Sequence, residues 1–82
     1  MKKDEIKIGN VVQAKFRKYG VHTVTGVVRE ITTDGHALKG TWVSLSVIGG
    51  ELKDPTVKHL ADYNIGVLIP VEDVQKVLQE KL

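Results

Sequence analysis

The run TWVSLSVI, residues 41 to 48, alternates strictly between two kinds of position, and it constrains the fold more than any other part of this sequence. Successive side chains of a β-strand point to opposite faces, whereas a helix repeats every 3.6 residues. The face predicted to point inward consists of Thr41, Val43, Leu45 and Val47. The opposite face carries two serines and the only tryptophan, Trp42, which we therefore expect on the outer, more hydrated side.

A second run, residues 10 to 16, alternates in the same way. Phe16 falls on the apolar face of this run, so it is predicted to point into the core. Lys15 and Arg17 fall on the other face and are predicted to point outward.

Two more runs complete a β-rich pattern that is punctuated by eight glycines. Residues 22 to 31 are rich in β-branched side chains, and Gly26 among them predicts a bulge or a close approach of two backbones. The pair Asp34-Gly35 predicts a hairpin, because both central residues of a type I′ turn need positive φ. Residues 65 to 69 predict a buried fourth strand.

Helix signals follow the third run. Asp54 is predicted to cap a short helix that begins at Pro55 and reaches about Asp62, as an insertion between strands. The C-terminal residues 70 to 82 place apolar side chains on one helical face, with acids in the first turn as the helix dipole favours. These apolar side chains are Val71, Val74 and Leu78. We predict a C-terminal helical segment, with a 3₁₀ turn followed by a last strand as the alternative.

Composition limits the chain to a single domain over residues 1 to 82. With 41% apolar and 27% charged residues, it is too short for two cores and too apolar for a disordered chain. The absence of cysteine excludes disulfides, thiolate zinc sites and thiol nucleophiles. The N-terminus has no apolar h-region, and the longest nearly apolar run, residues 65 to 71, is too short to span a bilayer. We therefore expect a cytoplasmic protein without a membrane partner.

The order of these parts resembles the SH3-like small barrels. Within that group, residues 9 to 31 resemble the KOW-type element of ribosomal and transcription-associated proteins: a glycine, a Val-x-Val-like strand, a loop, then Gly-x-Val and a closing Ile. The matching positions are Gly9, Val12, Gly20, Gly26, Val28 and Ile31. The loop FRKYGVHTV departs from the usual short Gly-rich turn. The resemblance implies a mainly β, SH3-like small barrel of about five strands. The short helical insertion and the C-terminal helical segment predicted above would be additions to this barrel.

A second resemblance is to the plasmid-encoded type II dihydrofolate reductases, which are also SH3-like barrels and end in a strand followed by Pro-Val. That end reads GVLIPVEDVQKV here. In the family, this strand carries a Gln and a Tyr that line a pore shared between subunits. The corresponding positions are Val67 and Ile69, or Leu68 if the register slips. None of these side chains can hydrogen-bond a substrate, which argues against the reductase activity.

Basic residues are concentrated in the first part of the chain. Up to Val47 there are eight Lys and Arg against four Asp and Glu, and after it four against six. Basic side chains interleaved with aromatic ones can contact phosphates and stack on bases. We therefore predict a weakly sequence-specific face for RNA or DNA formed by Lys15, Arg17, Lys18, Tyr19, Arg29 and Trp42. The alternative for these residues is an ordinary solvated strand face.

No recognisable catalytic or metal-binding motif occurs in the sequence. His22, His36 and His59 are far apart and lie on different predicted elements, so we expect surface histidines rather than a metal site. Ser44 and Ser46 lack the strained elbow that exposes a nucleophile. We predict no catalytic activity, no cofactor and no metal. An enzyme whose pore is assembled between subunits is an alternative.

A protein-interaction or homo-oligomerisation module is the second function that the sequence favours. An outward Trp42 beside Ile48, together with the apolar C-terminal segment, leaves more apolar surface than an isolated barrel needs. The edges of an open barrel also invite pairing with another chain. The alternative for the C-terminal segment is that it covers the end of its own barrel. Nucleic acid is the leading predicted partner, and a protein or a second copy of the chain comes next.

Overall fold

The computed structural model describes residues 5–18, 20–35 and 39–80. Within these residues it contains five strands, one α-helix and a 3₁₀ turn between the last two strands. In chain order these are β1 (Val11–Arg17), β2 (Val21–Thr33), β3 (Thr41–Gly50), α1 (Pro55–Asp62), β4 (Gly66–Pro70), the 3₁₀ turn (Val71–Asp73) and β5 (Val74–Gln79). The prediction of a mainly β domain with a helical insertion before the fourth strand is confirmed.

All five strands belong to one antiparallel sheet with the order β4-β3-β2-β1-β5. The sheet is open, since β4 and β5 lie at its two edges. As an edge strand, β4 buries one face only: Val67 and Ile69 are buried, whereas Leu68 between them is 49% exposed. The fourth strand was therefore predicted correctly, but its burial is confined to alternate residues.

The core lies on the inner face of the sheet and is covered by α1. Its fully buried members include Val12, Ala14, Val24, Val28, Val43, Leu45, Val47, Val57 and Ile69. The inward face predicted for β3 is confirmed, because its three aliphatic side chains have no exposed surface. Phe16 is half-buried and packs against this core, and Arg17 beside it is exposed, as the alternation of β1 predicts.

Of the two alternatives predicted at Gly26, a bulge or a close approach of two backbones, the close approach is present, and the extra residue of the nearby irregularity, Ile48, lies on β3. The pairing of β2 with β3 shifts register between Thr25 and Gly26, so that Gly26 pairs with Val47. The two backbones approach so closely that a Cβ atom on Gly26 would lie 2.9 Å from the carbonyl oxygen of Ser46. A side chain at this position would push β2 and β3 apart, which explains why the strand has a glycine here.

The hairpin signalled by Asp34-Gly35 joins β2 to β3, but not through a two-residue turn. Thr33 pairs with Thr41, so the loop runs from Asp34 to Gly40. The backbone N–H of Asp34 donates to the Gly40 carbonyl, and the Gly40 N–H donates to the Asp34 carboxylate, both at 2.9 Å. These bonds close a wider loop, whose residues 36–38 lie outside the described residues.

Helix α1 begins as its sequence predicts. Asp54 is the N-cap, and its carboxylate accepts a hydrogen bond of 2.9 Å from the backbone N–H of Thr56, directly after Pro55. Val57 and Leu60 are the buried side chains of the helix. Among the described residues, no helix has both the length and the apolar character needed to cross a membrane.

The prediction of a C-terminal helical segment is wrong. Only Val71–Asp73 form a 3₁₀ turn, and the chain then continues as β5, which was the alternative for these residues. Strand β5 pairs with the half of β1 between Val11 and Ala14. Its backbone N–H and C=O groups therefore bond to β1, whereas in a helix they would bond to one another. Val74 is buried on the strand, but Leu78 is 48% exposed, so the two do not share one buried stripe.

Candidate functional site

The end of β1 contacts β4 across the open side of the sheet, and we call the space between them the β1–β4 cleft. Two grooves lie along it and share the side chains of Phe16 and Leu68. The first, the tryptophan groove, has a volume of about 250 Å³, and the residues that line it include Lys15, Arg17, Trp42, Pro70 and Asp73. The second, the apolar groove, has a volume of about 490 Å³, and Lys18, Thr56, Leu60, Ile65 and Val67 are among its lining residues.

The edge of β4 exposes backbone groups to the cleft. In the β3–β4 ladder, the Ile65 carbonyl accepts a hydrogen bond of 3.1 Å from the Val47 N–H. Because backbone groups on an antiparallel strand alternate in direction, those of Val67 and Ile69 also point to β3 and those of Leu68 point away from it. The cleft therefore combines apolar side chains with backbone hydrogen-bonding groups.

Lys15 is held in place by the neighbouring strand. It lies opposite Thr23 in the β1–β2 ladder, and its Nζ donates a hydrogen bond of 2.7 Å to Thr23 Oγ1. Lys15 points outward, as predicted, and its side chain lines the tryptophan groove. The residue is half-buried there. An ammonium group has three donors, so the bond to Thr23 leaves it able to contact an anion as well.

Arg17 forms an ion pair that crosses the end of the cleft. Its Nε lies 3.2 Å from Asp73 Oδ2 and 3.3 Å from Asp73 Oδ1, and the Arg17 side chain is 58% exposed. Asp73 belongs to the 3₁₀ turn, so the pair also links this turn to β1. The carboxylate offsets one positive charge in the groove, which the sequence pattern did not reveal because 56 residues separate the two partners.

Trp42 joins these basic residues from a different strand. It lies at the start of β3, opposite Thr32 of β2 and Pro70 of β4, and it is half-buried. Its indole Nε1 donates a hydrogen bond of 2.8 Å to the Lys39 carbonyl, which fixes the orientation of the ring. With its one donor occupied, the ring offers apolar surface and its π-system to a ligand.

The other predicted site residues are not gathered with these three. Lys18 lines the apolar groove and is exposed. Arg29 is exposed at the register shift between Val28 and Glu30, and it is not among the residues that line either groove. Tyr19 lies outside the described residues.

His22 is buried, and the expectation that it lies on the surface is wrong. Its Nδ1 lies 2.5 Å from Asp54 Oδ2, and its Nε2 lies 3.0 Å from the Lys18 carbonyl oxygen. Its accessible surface is only 9% of the reference value. The sequence carried a signal for this position, because in the run of residues 22 to 31 His22 shares the face of Val24 and Val28.

The hydrogen bond from His22 to the Asp54 carboxylate raises the pKa of His22 above its ordinary value of 6.5, although burial opposes this effect. The same bond lowers the pKa of Asp54 below 3.8. A carbonyl oxygen and an ionised carboxylate can only accept, so the two bonds form together only when both ring nitrogens carry a proton, that is, in the imidazolium form of His22. The bonds connect the loop after β1 to the start of α1, which form two walls of the apolar groove.

The remaining histidines do not build a second site within the described chain. His59 is exposed on α1 and lies against Tyr63, with their ring centroids 5.1 Å apart. His36 is outside the described residues. The described residues contain no group of three or more His, Cys, Asp or Glu side chains that could hold a metal ion.

Comparison with known proteins adds no relative: no family model, curated protein or solved structure matches this chain.

Proposed function

We propose that this protein is a non-catalytic binding domain that binds nucleic acid, with weak sequence preference, through the tryptophan groove. The observation that carries the proposal is that Lys15 and Arg17 from β1 and Trp42 from β3 line the same groove. Cationic groups beside an aromatic ring that keeps accessible surface are what a protein uses to hold a phosphate backbone and stack on a base. Few directional donors face the groove, which favours weak rather than strong sequence preference.

The charge distribution supports an anionic partner of this kind. The groove holds two cations against the single carboxylate of Asp73. The orientation of Lys15 is fixed by Thr23, so less side-chain entropy is lost when it binds a phosphate. Arg17 can leave its exposed ion pair with Asp73 and bind a phosphate instead, because exposed pairs of this type contribute only about 0.2–1 kcal/mol to stability.

As to fold, we propose that the open sheet is a variant of the SH3-like small barrel, with a KOW-like segment over residues 9 to 31. The supporting features are an antiparallel meander with β5 beside β1, the 3₁₀ turn that precedes β5, and the contact between β1 and β4. Such a barrel can serve many functions, so this assignment does not by itself favour nucleic acid.

The test is fluorescence anisotropy with labelled RNA and DNA oligonucleotides over a salt series. We expect binding at 50 mM salt that weakens as salt rises, with log K falling by roughly 0.7 to 0.9 per phosphate contact per unit of log salt. The variant Lys15→Ala/Arg17→Ala should lose most of this affinity and reduce the slope. A matched control is Lys7→Ala/Lys76→Ala, which removes the same charge from two positions outside both grooves. No binding at 50 mM salt, or equal losses in the two variants, would refute the proposal.

A second candidate function is protein interaction or homo-oligomerisation, and the edge of β4 favours it. The residues Gly66–Pro70 carry no charge, whereas Lys76 on β5 is the kind of side chain that discourages edge pairing. Sedimentation at high concentration tests self-assembly. A monomer would leave only a foreign protein partner, and a concentration-dependent dimer that Leu68→Lys abolishes would support pairing through β4.

A further inference from the structure

We infer that the β1–β4 cleft takes single-stranded nucleic acid, with one unstacked base against Trp42 and the next base in the apolar groove. This inference rests on the proposed function and goes beyond it, because charge alone does not distinguish a single strand from a duplex. What distinguishes them is the shape of the cleft and the position of its aromatic surface.

The Trp42 ring is partly buried in the surface and is not fully exposed to solvent. The ring is half-buried, lies beside Pro70 of β4, and is held by its hydrogen bond to the Lys39 carbonyl. The faces of paired bases in a duplex are covered by their neighbours in the stack, so a duplex can present only base edges and its backbone to this surface. A single strand can turn a base out and insert it against the indole ring.

The size of the tryptophan groove fits one inserted ring system. Its volume of about 250 Å³ is below the roughly 300–1,000 Å³ of pockets that enclose a drug-sized ligand. Phe16 and Leu68 form the boundary with the apolar groove of about 490 Å³, which continues along the same cleft. Because the two grooves are neighbours along one cleft, each can hold one of two successive bases.

The basic residues lie where the backbone of such a strand would run. Lys15 and Arg17 are two positions apart on the same face of β1, about 6.6 Å along the strand, and Lys18 follows at the apolar groove. Phosphates would therefore lie along the β1 side of the cleft while the bases point toward β4. The free backbone groups of Leu68 on the opposite side offer hydrogen bonds to base edges.

Direct evidence can come from the intrinsic fluorescence of Trp42, which is the only tryptophan in the chain. We expect a single-stranded oligonucleotide of about ten residues to quench this fluorescence and to bind at least tenfold more tightly than the same sequence in a duplex. An oligomer of abasic nucleotides keeps the phosphates, so it should bind weakly and leave the fluorescence unchanged. Trp42→Leu keeps an apolar side chain but removes the π-system, and it should weaken single-strand binding by about 5- to 100-fold.

The outcomes separate the inference from the proposed function. Equal affinity for single strand and duplex, with both sensitive to Lys15→Ala/Arg17→Ala, would overturn the inference and leave nucleic-acid binding standing. Tight binding of the abasic oligomer would overturn it in the same way. No binding of any oligonucleotide at 50 mM salt would refute both, and quenching by an acidic peptide under those conditions would assign the cleft to a protein partner. Quenching of the unmodified protein does not depend on any variant folding.

Discussion

His22 on β2 donates a hydrogen bond to Asp54, the N-cap of α1, with 2.5 Å between Nδ1 and Oδ2. The contact joins residues that are 32 positions apart, and the second ring nitrogen of His22 binds the loop after β1 through the Lys18 carbonyl. One side chain thus holds three segments together around the apolar groove. Because both bonds require a donating nitrogen, the arrangement depends on the protonation of His22.

The first prediction concerns the pH dependence of stability. The pKa of His22 is raised above 6.5, so its contribution is fully present below pH 6.5 and is lost as pH rises through the raised value. The pKa of Asp54 is lowered below 3.8, so its contribution is present above pH 3.8 and is lost as pH falls through the lowered value. Urea unfolding between pH 3 and 9 should give the highest free energy of unfolding between about pH 4 and 6.5.

A variant can assign this dependence to His22. With His22→Gln, the decline of the unfolding free energy above pH 6.5 should disappear, because glutamine does not titrate. His59→Gln is the matched control, since His59 is exposed on α1. If the decline survives in the His22 variant, the dependence belongs to another group.

The second prediction separates the two roles of Asp54. Asparagine is as good an N-cap as aspartate, so Asp54→Asn should keep α1 capped while it removes the negative charge beside His22. We expect the NMR titration of His22 to move to lower pH in this variant, with the helical circular dichroism unchanged. Asp54→Ala removes the cap as well and should lower the melting temperature further. Identical melting curves for the two variants would show that the cap contributes nothing.

The third prediction tests the close approach of β2 and β3. A methyl group on Gly26 would meet the Ser46 carbonyl at 2.9 Å, so Gly26→Ala should destabilise the protein by about 1–3 kcal/mol. Gly49→Ala adds the same group on β3 where nothing lies within 4 Å, and it should change stability by about 0.5 kcal/mol or less. Urea midpoints of the two variants measure the difference. A similar midpoint for both would mean that the strands are further apart than described.

Much of this sheet could be predicted from local pattern. The alternation of residues 41 to 48, the close backbone approach marked by Gly26 and the cap at Asp54 each follow from conformational preferences that act over a few residues. The same patterns predicted the directions of Lys15 and Arg17. These features depend little on distant partners, which is why sequence alone was sufficient for them.

The features that were missed depend on distant partners. Val71, Val74 and Leu78 fit a helical stripe, but the free edge of β1 was available and pairing with it produced β5. The spacing of His22 and Asp54, or of Arg17 and Asp73, contains no local signal that the chain will bring them together. Trp42 likewise lies near the basic residues of β1 only because the sheet bends so that β1 contacts β4.

The fourth prediction distinguishes strand from helix at the C-terminus. On β5, Val74 is 2% exposed and Leu78 is 48% exposed. Val74→Ala should therefore cost about 1–3 kcal/mol of stability, whereas Leu78→Ala should cost less than about 1 kcal/mol. On a helix the two residues would lie on one stripe and have similar effects. Urea unfolding of both variants decides between these arrangements.

The fifth prediction concerns the carboxylate in the tryptophan groove. Asp73 neutralises Arg17 and repels a polyanion, so Asp73→Asn should tighten the binding of an oligonucleotide. An exposed pair contributes about 0.2–1 kcal/mol, which corresponds to a gain of about 1.5- to 5-fold in affinity. The control Asp62→Asn removes the same charge from an ion pair with Lys58 on α1, at a position that lines neither groove. Anisotropy titrations at 50 mM salt measure both. An equal gain in the two variants would mean that only net charge matters, and a loss specific to Asp73→Asn would mean that Asp73 holds Arg17 in its binding position.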